Sequence, residues 1–188
     1  METDRFEALI DAILAIIITL IVLEISLPST NTFAGLWELK HEFFAYFLSF
    51  FVIYNIWNSN HNLFIRINKL SNSIVWIMFS EIFILSFLPY VSVMVSEHFD
   101  VFFAQACFGM IFVLLHINYM IQSKILKRSD PANIALILYL DDTEYPFVEF
   151  ILFIVVYILG YLYYPPIIML GCLMAMILWV YYDQYLHI

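Results

Sequence analysis

Six runs of predominantly apolar residues, each near the ~20 that a helix needs to cross a hydrocarbon core, leave this chain few ways to fold. The first extends from about Phe6 to Leu27 and stops at the polar turn Pro28-Ser29-Thr30-Asn31. The second, about Glu42 to Asn60, is almost wholly aromatic and aliphatic. The third, about Ile74 to Val95, contains Glu81 and Pro89, and the fourth, about Val101 to Ile121, contains His116 and Asn118. A more polar stretch, Gln122 to Pro146, follows; its segment Ile134–Leu140 is too short to span and is expected at the surface. The fifth run covers about Phe147 to Tyr163, and Pro165-Pro166 turns the chain into the sixth, about Ile167 to Tyr182. The pattern predicts an all-α membrane protein with six transmembrane helices, a single domain over residues 1–188.

Composition supports the lipid environment. Hydrophobic residues make up 64% and charged residues 12%, whereas a soluble domain is nearer half apolar and a quarter charged. The net charge of -9, with no basic run, argues against a nucleic-acid partner. Cys107 and Cys172 both lie inside apolar runs and read as small core residues rather than as a disulfide or a metal site. The first run is not expected to be a cleaved signal: its apolar part is too long, acidic residues precede it and no small-residue cleavage site follows.

Basic residues set the orientation. With the N-terminus in the cytoplasm, the inner segments carry Arg5, Arg66, Lys69, Lys124, Lys127 and Arg128, and the outer ones only Lys40. That asymmetry fits an even number of spans with both termini cytoplasmic. The outer segments carry acid instead: Glu24, Glu97 and Asp100. Carboxylates at a pore mouth raise the local cation concentration, although loops are commonly polar for no further reason.

The first run places polar groups at chosen depths. Ile16, Thr19 and Leu23 fall on one helical line, and Ala8, Ala12, Ala15 and Thr19 on an overlapping line of small residues. Small faces let transmembrane helices approach closely, so this side is expected to meet helices rather than lipid. Several copies around an axis would stack rings of Ile16, Thr19 and Leu23; aliphatic rings exclude water, and a threonine ring offers oxygens to a partly dehydrated ion. The same spacing also suits an ordinary packed helix with one back-bonded threonine. Asp11, about one and a half turns inside, needs a partner, with Arg5 of a neighbouring copy or His61 as candidates. Taken alone, His61 reads equally as an interfacial histidine beside Asn58, Asn60 and Asn62.

These residues resemble a known pattern. Arg5, Asp11, Ala12, Ile16, Thr19, Leu23 and Glu24 are similar to the signature first helix of the transmembrane protein 175 family of endosomal and lysosomal potassium channels and their prokaryotic relatives. Trp57, His61 and Phe64 resemble the family's second helix, and Leu88-Pro89-Tyr90 its third. The chain departs from the pattern at Leu9-Ile10, where the family has Phe-Ser, and at Phe79-Ser80-Glu81, where it tends to place an asparagine. The resemblance implies a potassium-permeable cation channel in a prokaryotic plasma membrane, a homotetramer lined by the first helix, with no cofactor beyond the permeant ion. It implies a hydrophobic gate at Ile16, a polar layer at Thr19, a further constriction at Leu23 and an acidic entrance at Glu24. Arg5, Asp11, Trp57 and His61 would then form the polar network that holds the pore helix. Glu81 is left unexplained by the resemblance; Asn118 and His116 are its candidate partners.

A different class, a proton-coupled secondary transporter, would use Asp11, His61, Glu81 and His116 as relay groups. Against it, no pair of half-helices broken by glycine is visible, although Pro89 interrupts one span. An enzyme is not expected: His41, His61, His98, His116 and His187 are scattered, no His-Glu-x-x-His or Gly-x-Ser-x-Gly occurs, and Asp141-Asp142 reads as a solvated pair.

Overall fold

The computed structural model describes residues 3–68, 70–140 and 145–185; Lys69, Asp141-Asp142 and His187 lie outside these. Nine helices and no strand occur among the described residues. They are α1 (Thr3–Leu23), α2 (Phe33–Glu38), α3 (Lys40–Arg66), α4 (Asn72–Leu85), α5 (Leu88–Glu97), α6 (Phe102–Ser129), α7 (Ile134–Leu140), α8 (Tyr145–Leu162) and α9 (Ile167–Tyr185). A helix stands at each of the six expected places, with α4 and α5 together filling the third. By length and apolarity α1, the continuous α4–α5 segment and α6 are able to cross a membrane; Phe147–Leu162 of α8 and Ile167–Tyr181 of α9 are shorter apolar helices. The 27 residues of α3, at ~1.5 Å each, reach about 40 Å.

Local chemistry sets the boundaries. The first helix stops at Leu23 rather than Leu27, its last amides closing onto carbonyls three residues back, Glu24 N to Ile21 O at 3.3 Å and Ile25 N to Val22 O at 3.4 Å. Beyond the polar turn, between the first two runs, the chain forms α2, because the Thr32 hydroxyl accepts from Gly35 N at 3.2 Å and starts a helix there. The third run divides at Ser86-Phe87, where Pro89 enters the first turn of α5; without an N–H, proline is tolerated there and not mid-helix. Ile134–Leu140 is a helix tied to the inner end of α3. Asn133 caps it by accepting from Leu136 N at 3.1 Å, and its amide donates to the Arg66 carbonyl at 2.8 Å. The Arg66 guanidinium also lies 4.4 Å from the centre of the Tyr139 ring.

In the bundle, α1 packs on α3, α5 and α4; α6 packs on α4, α5 and the α8–α9 hairpin; α9 also reaches α3. Polar contacts join the helices at depth. Ser92 gives its hydroxyl hydrogen to Leu88 O at 2.7 Å and so accepts from Ser49 of α3 at 2.8 Å. The hairpin sits close to α6 at Gly109, where an added Cβ would lie 2.6 Å from Ile168 Cγ2 and 3.0 Å from the Tyr157 oxygen. Beside it the Tyr157 hydroxyl donates to Ala106 O at 2.7 Å. Beyond α5 the Asp100 carboxylate accepts from Tyr164 in the α8–α9 turn, which raises the Tyr164 phenol above its ordinary range.

The tight seam yields a test. Ile168 is fully buried and its methyl has no room to retreat, so Gly109→Val is expected to cost ~1–3 kcal/mol by overpacking. Tyr157→Phe, which removes one hydrogen bond, is expected to cost only ~1 kcal/mol. Thermal unfolding in detergent micelles should show the glycine variant as the less stable of the two.

Candidate pore-lining face and its anchor

Periodicity divides α1 into two opposed faces. Phe6, Ile10, Leu14, Ile17 and Ile21, spaced three and four apart, form the stripe buried against α3, α4 and α5. Opposite it lie Arg5, Ala8, Ala12, Ile16, Thr19 and Leu23, all uncovered in the single chain; Ile16 is 57% exposed and Leu23 78%. All three residues predicted to line a path therefore stand on the side that no other described helix occupies. The Thr19 hydroxyl donates to Ile16 O at 2.8 Å, which spends its hydrogen and leaves the oxygen's lone pairs facing outward. Glu24 follows the end of the helix and is exposed. The segment beyond is tied back to α3, where Glu42 Oε2 accepts from Ser26 N at 2.6 Å.

The N-terminal end of α1 is fixed by aromatic packing. Phe6 stands edge-on to Phe64 of α3 at 6.0 Å and to Phe79 of α4 at 5.6 Å, geometry that aromatic quadrupoles favour. One residue on, Glu7 Oε1 lies 3.2 Å from His61 Nδ1. Trp57 stacks on the same imidazole, the rings 5.9 Å apart and within 10° of parallel. Of the four residues expected to form the network, the structure thus brings Trp57 and His61 together. Arg5 and Asp11 are exposed on α1 and meet neither of them within the chain. The carboxylate at His61 is Glu7, one turn before Asp11, because Glu7 lies beside the buried stripe and Asp11 on its far flank.

Two further pairings differ from expectation. Glu81 is buried and accepts from Asn60 Nδ2 at 2.8 Å, not from Asn118 or His116. Asn118 instead donates to Ser80 Oγ and to Ile77 O, and His116 Nδ1 lies 2.6 Å from Glu149 Oε2. Sequence reasoning missed Phe6, Glu7, Asn60 and Glu149. For Glu149 a signal existed: it is the one acidic residue within the fifth apolar run. Among the described residues no three of His, Cys, Asp or Glu gather in a metal-binding cluster.

Membrane-length helices, buried interhelical polar contacts and one helix with an uncovered face of small and aliphatic residues define a multi-pass helical membrane protein. The family model for the endosomal/lysosomal potassium channel TMEM175 matches residues 5–89, the segment holding α1 to the start of α5. A potassium channel of Chryseobacterium sp. (strain P1-3) is 34% identical over 137 residues, 71% of this chain and 69% of that one. A potassium channel of Streptomyces collinus is 28% identical over 52% of this chain and 49% of its own length. The crystal structure of a lysosomal potassium-selective channel TMEM175 homolog from Chamaesiphon minutus superposes with a TM-score of 0.69 at 19% identity, over 97% of this chain and 98% of that one. The chain belongs to the TMEM175 potassium-channel family, a family of channels and not of enzymes.

The anchor predicts an asymmetry. Phe6→Ala empties a site enclosed by two rings and is expected to cost ~3 kcal/mol, about 6–12 °C in unfolding midpoint for a chain of this size. Glu7→Gln removes charge from a partly exposed contact and is expected to shift the midpoint by only about a degree. Differential scanning fluorimetry of the purified protein compares them directly.

Proposed function

We propose that the chain is a potassium-permeable cation channel, a homotetramer in a prokaryotic plasma membrane with α1 from each copy lining the axis. Both termini are cytoplasmic, and residues 1–188 act as one six-helix channel domain. The observation that carries this reading is the placement of Ile16, Thr19 and Leu23 together on the uncovered face of α1, opposite its buried stripe.

Around an axis the Ile16 side chains close a ring with no hydrogen-bonding atoms, and water leaves so narrow an apolar neck. A cation without its hydration shell does not cross such a neck, so Ile16 is the gate. Thr19, ~4.5 Å further out along the helix, presents hydroxyl oxygens that replace part of a potassium ion's lost water. Leu23 forms an outer constriction, and Glu24 beyond it concentrates cations at the entrance. Arg5 and Asp11 find their partners between copies, while Trp57, His61 and Glu7 hold each helix to its own α3. The transporter alternative draws no support from the pairings described: His61 meets Glu7, Glu81 meets Asn60 and His116 meets Glu149, contacts that fall on three different helix pairs.

A barrier lowered by ~1.4 kcal/mol raises a rate tenfold. Ile16→Asn, which lets water into the neck, is therefore expected to raise potassium flux into proteoliposomes by about tenfold or more. Unchanged flux from correctly assembled protein removes Ile16 as the gate. Thr19→Val in the same assay is expected to change the preference for potassium over sodium while flux persists.

A further inference from the structure

We propose that α2 is an interfacial helix whose exposed face of Phe33, Leu36 and Trp37 lies at the headgroup–acyl boundary of the phospholipid bilayer and, with Lys40, moors the C-terminal end of α1 at a fixed depth. That role requires only a multi-pass membrane protein, whatever α1 lines.

The polarity of α2 is inverted for a segment that folds onto its own chain. Phe33, Leu36 and Trp37 recur at spacings of three and one, on one side of the helix, and are 92%, 44% and 72% exposed. What α2 turns toward the preceding residues is small or polar. Gly35 is buried so close to Thr30 that an added Cβ would collide with the Thr30 carbonyl oxygen. Glu38 Oε2 accepts from the Ser29 hydroxyl at 2.7 Å, and the Thr32 hydroxyl caps the helix. These contacts fix which way α2 faces, and they point its large apolar side chains away from the chain.

Depth and charge say what covers that face. A crossing helix of 21 residues such as α1 is about 31 Å long, close to the ~30 Å of the hydrocarbon core. The segment that follows it therefore emerges in the boundary layer, where tryptophan, with an apolar ring and an N–H donor, is enriched. Lys40, the one basic residue between Arg5 and Arg66, has its ammonium 5.8 Å from the centre of the Trp37 ring. There it can meet a lipid phosphate while its methylene stem stays with apolar groups. A second copy of the chain suits the face less well. Three side chains offer roughly 400 Å², about half of the ~800 Å² that each partner gives to a stable protein contact. They are also large, whereas helices in membranes approach through small residues. The ties from Glu38 to Ser29 and from Glu42 to Ser26 carry the mooring back to the end of α1 at Leu23.

The test uses the full chain, labelled with fluorotryptophan, in phosphatidylcholine nanodiscs. Trp37→Phe assigns the Trp37 fluorine signal, and Trp37→Tyr assigns it where that variant does not fold. A nitroxide near the carbonyl end of the lipid acyl chain is expected to speed relaxation of this signal at least about threefold more than one at the methyl end. An equal or larger effect from the methyl end overturns the proposal. So does a signal relaxed only by a soluble gadolinium chelate, which puts α2 in water, or by none of the three, which puts it under protein such as a second copy. The mooring itself is read by hydrogen exchange in the same nanodiscs. Combining Phe33→Ser with Trp37→Ser is expected to lower protection of the amides from Leu20 to Ile25 at least about threefold, the single variants replacing the double where it does not assemble. Unchanged protection overturns the role of α2 in holding α1.

Discussion

Lipid offers no hydrogen-bonding partner, so a polar group at membrane depth must find one inside the bundle. The contacts that meet this demand run from helix to helix. Ser49 and Ser92 join α3 to α5, Asn60 and Glu81 join α3 to α4, and Asn118 joins α6 to Ser80 and Ile77 of α4. His116 and Glu149 join α6 to α8, and Tyr157 binds α8 to the Ala106 carbonyl. Each such bond contributes about 1 kcal/mol in a membrane, but together they fix which helices are neighbours, because a wrong pairing would leave a buried carboxylate or amide alone.

The first helix stands outside this scheme. Its buried stripe is entirely apolar, and the one hydrogen bond of its middle, from Thr19, closes on its own backbone. Among the described residues its polar attachment lies at the two ends, through Glu7 and His61 at the N-terminal end and Ser26 and Glu42 just beyond the C-terminal end. Between those points α1 is held by close packing alone.

How much of this was legible follows from what periodicity encodes. Spacing of three and four residues gave the line of Ile16, Thr19 and Leu23 and the small-residue face, because both are properties of one helix taken alone. The partner of each polar residue depends on how neighbouring helices are rotated about their axes, and depth along a single sequence does not contain that. Hence Asp11 was offered to His61 when Glu7, one turn away and nearer the packed side, is the group that reaches it. Glu81 was likewise offered to α6 when Asn60 of α3 faces it. The helix α2 escaped notice for a local reason: at six residues it is too short for periodicity to mark, and it starts from a capping contact between Thr32 and Gly35.

The uncovered face of α1 poses the remaining physical question, since two environments could cover it. Against lipid it is poorly suited: Arg5 and Asp11 at its inner end and Thr19 midway bring charge and polarity, for which hydrocarbon has no compensation. Ala8, Ala12 and Ala15 on and beside it would give lipid tails little surface to pack on, whereas they allow another helix to come near. The exposed sides of α8 present Phe147, Phe150, Ile151, Ile154 and Ile158, large apolar groups of the kind a lipid-facing helix carries. One chain thus shows two kinds of exposed membrane surface, and the contrast in side-chain size and polarity is the argument for turning α1 toward an axis and α8 toward the bilayer. In that arrangement the polar groups of α1 meet water or a neighbouring copy, and its small residues set how closely the copies approach.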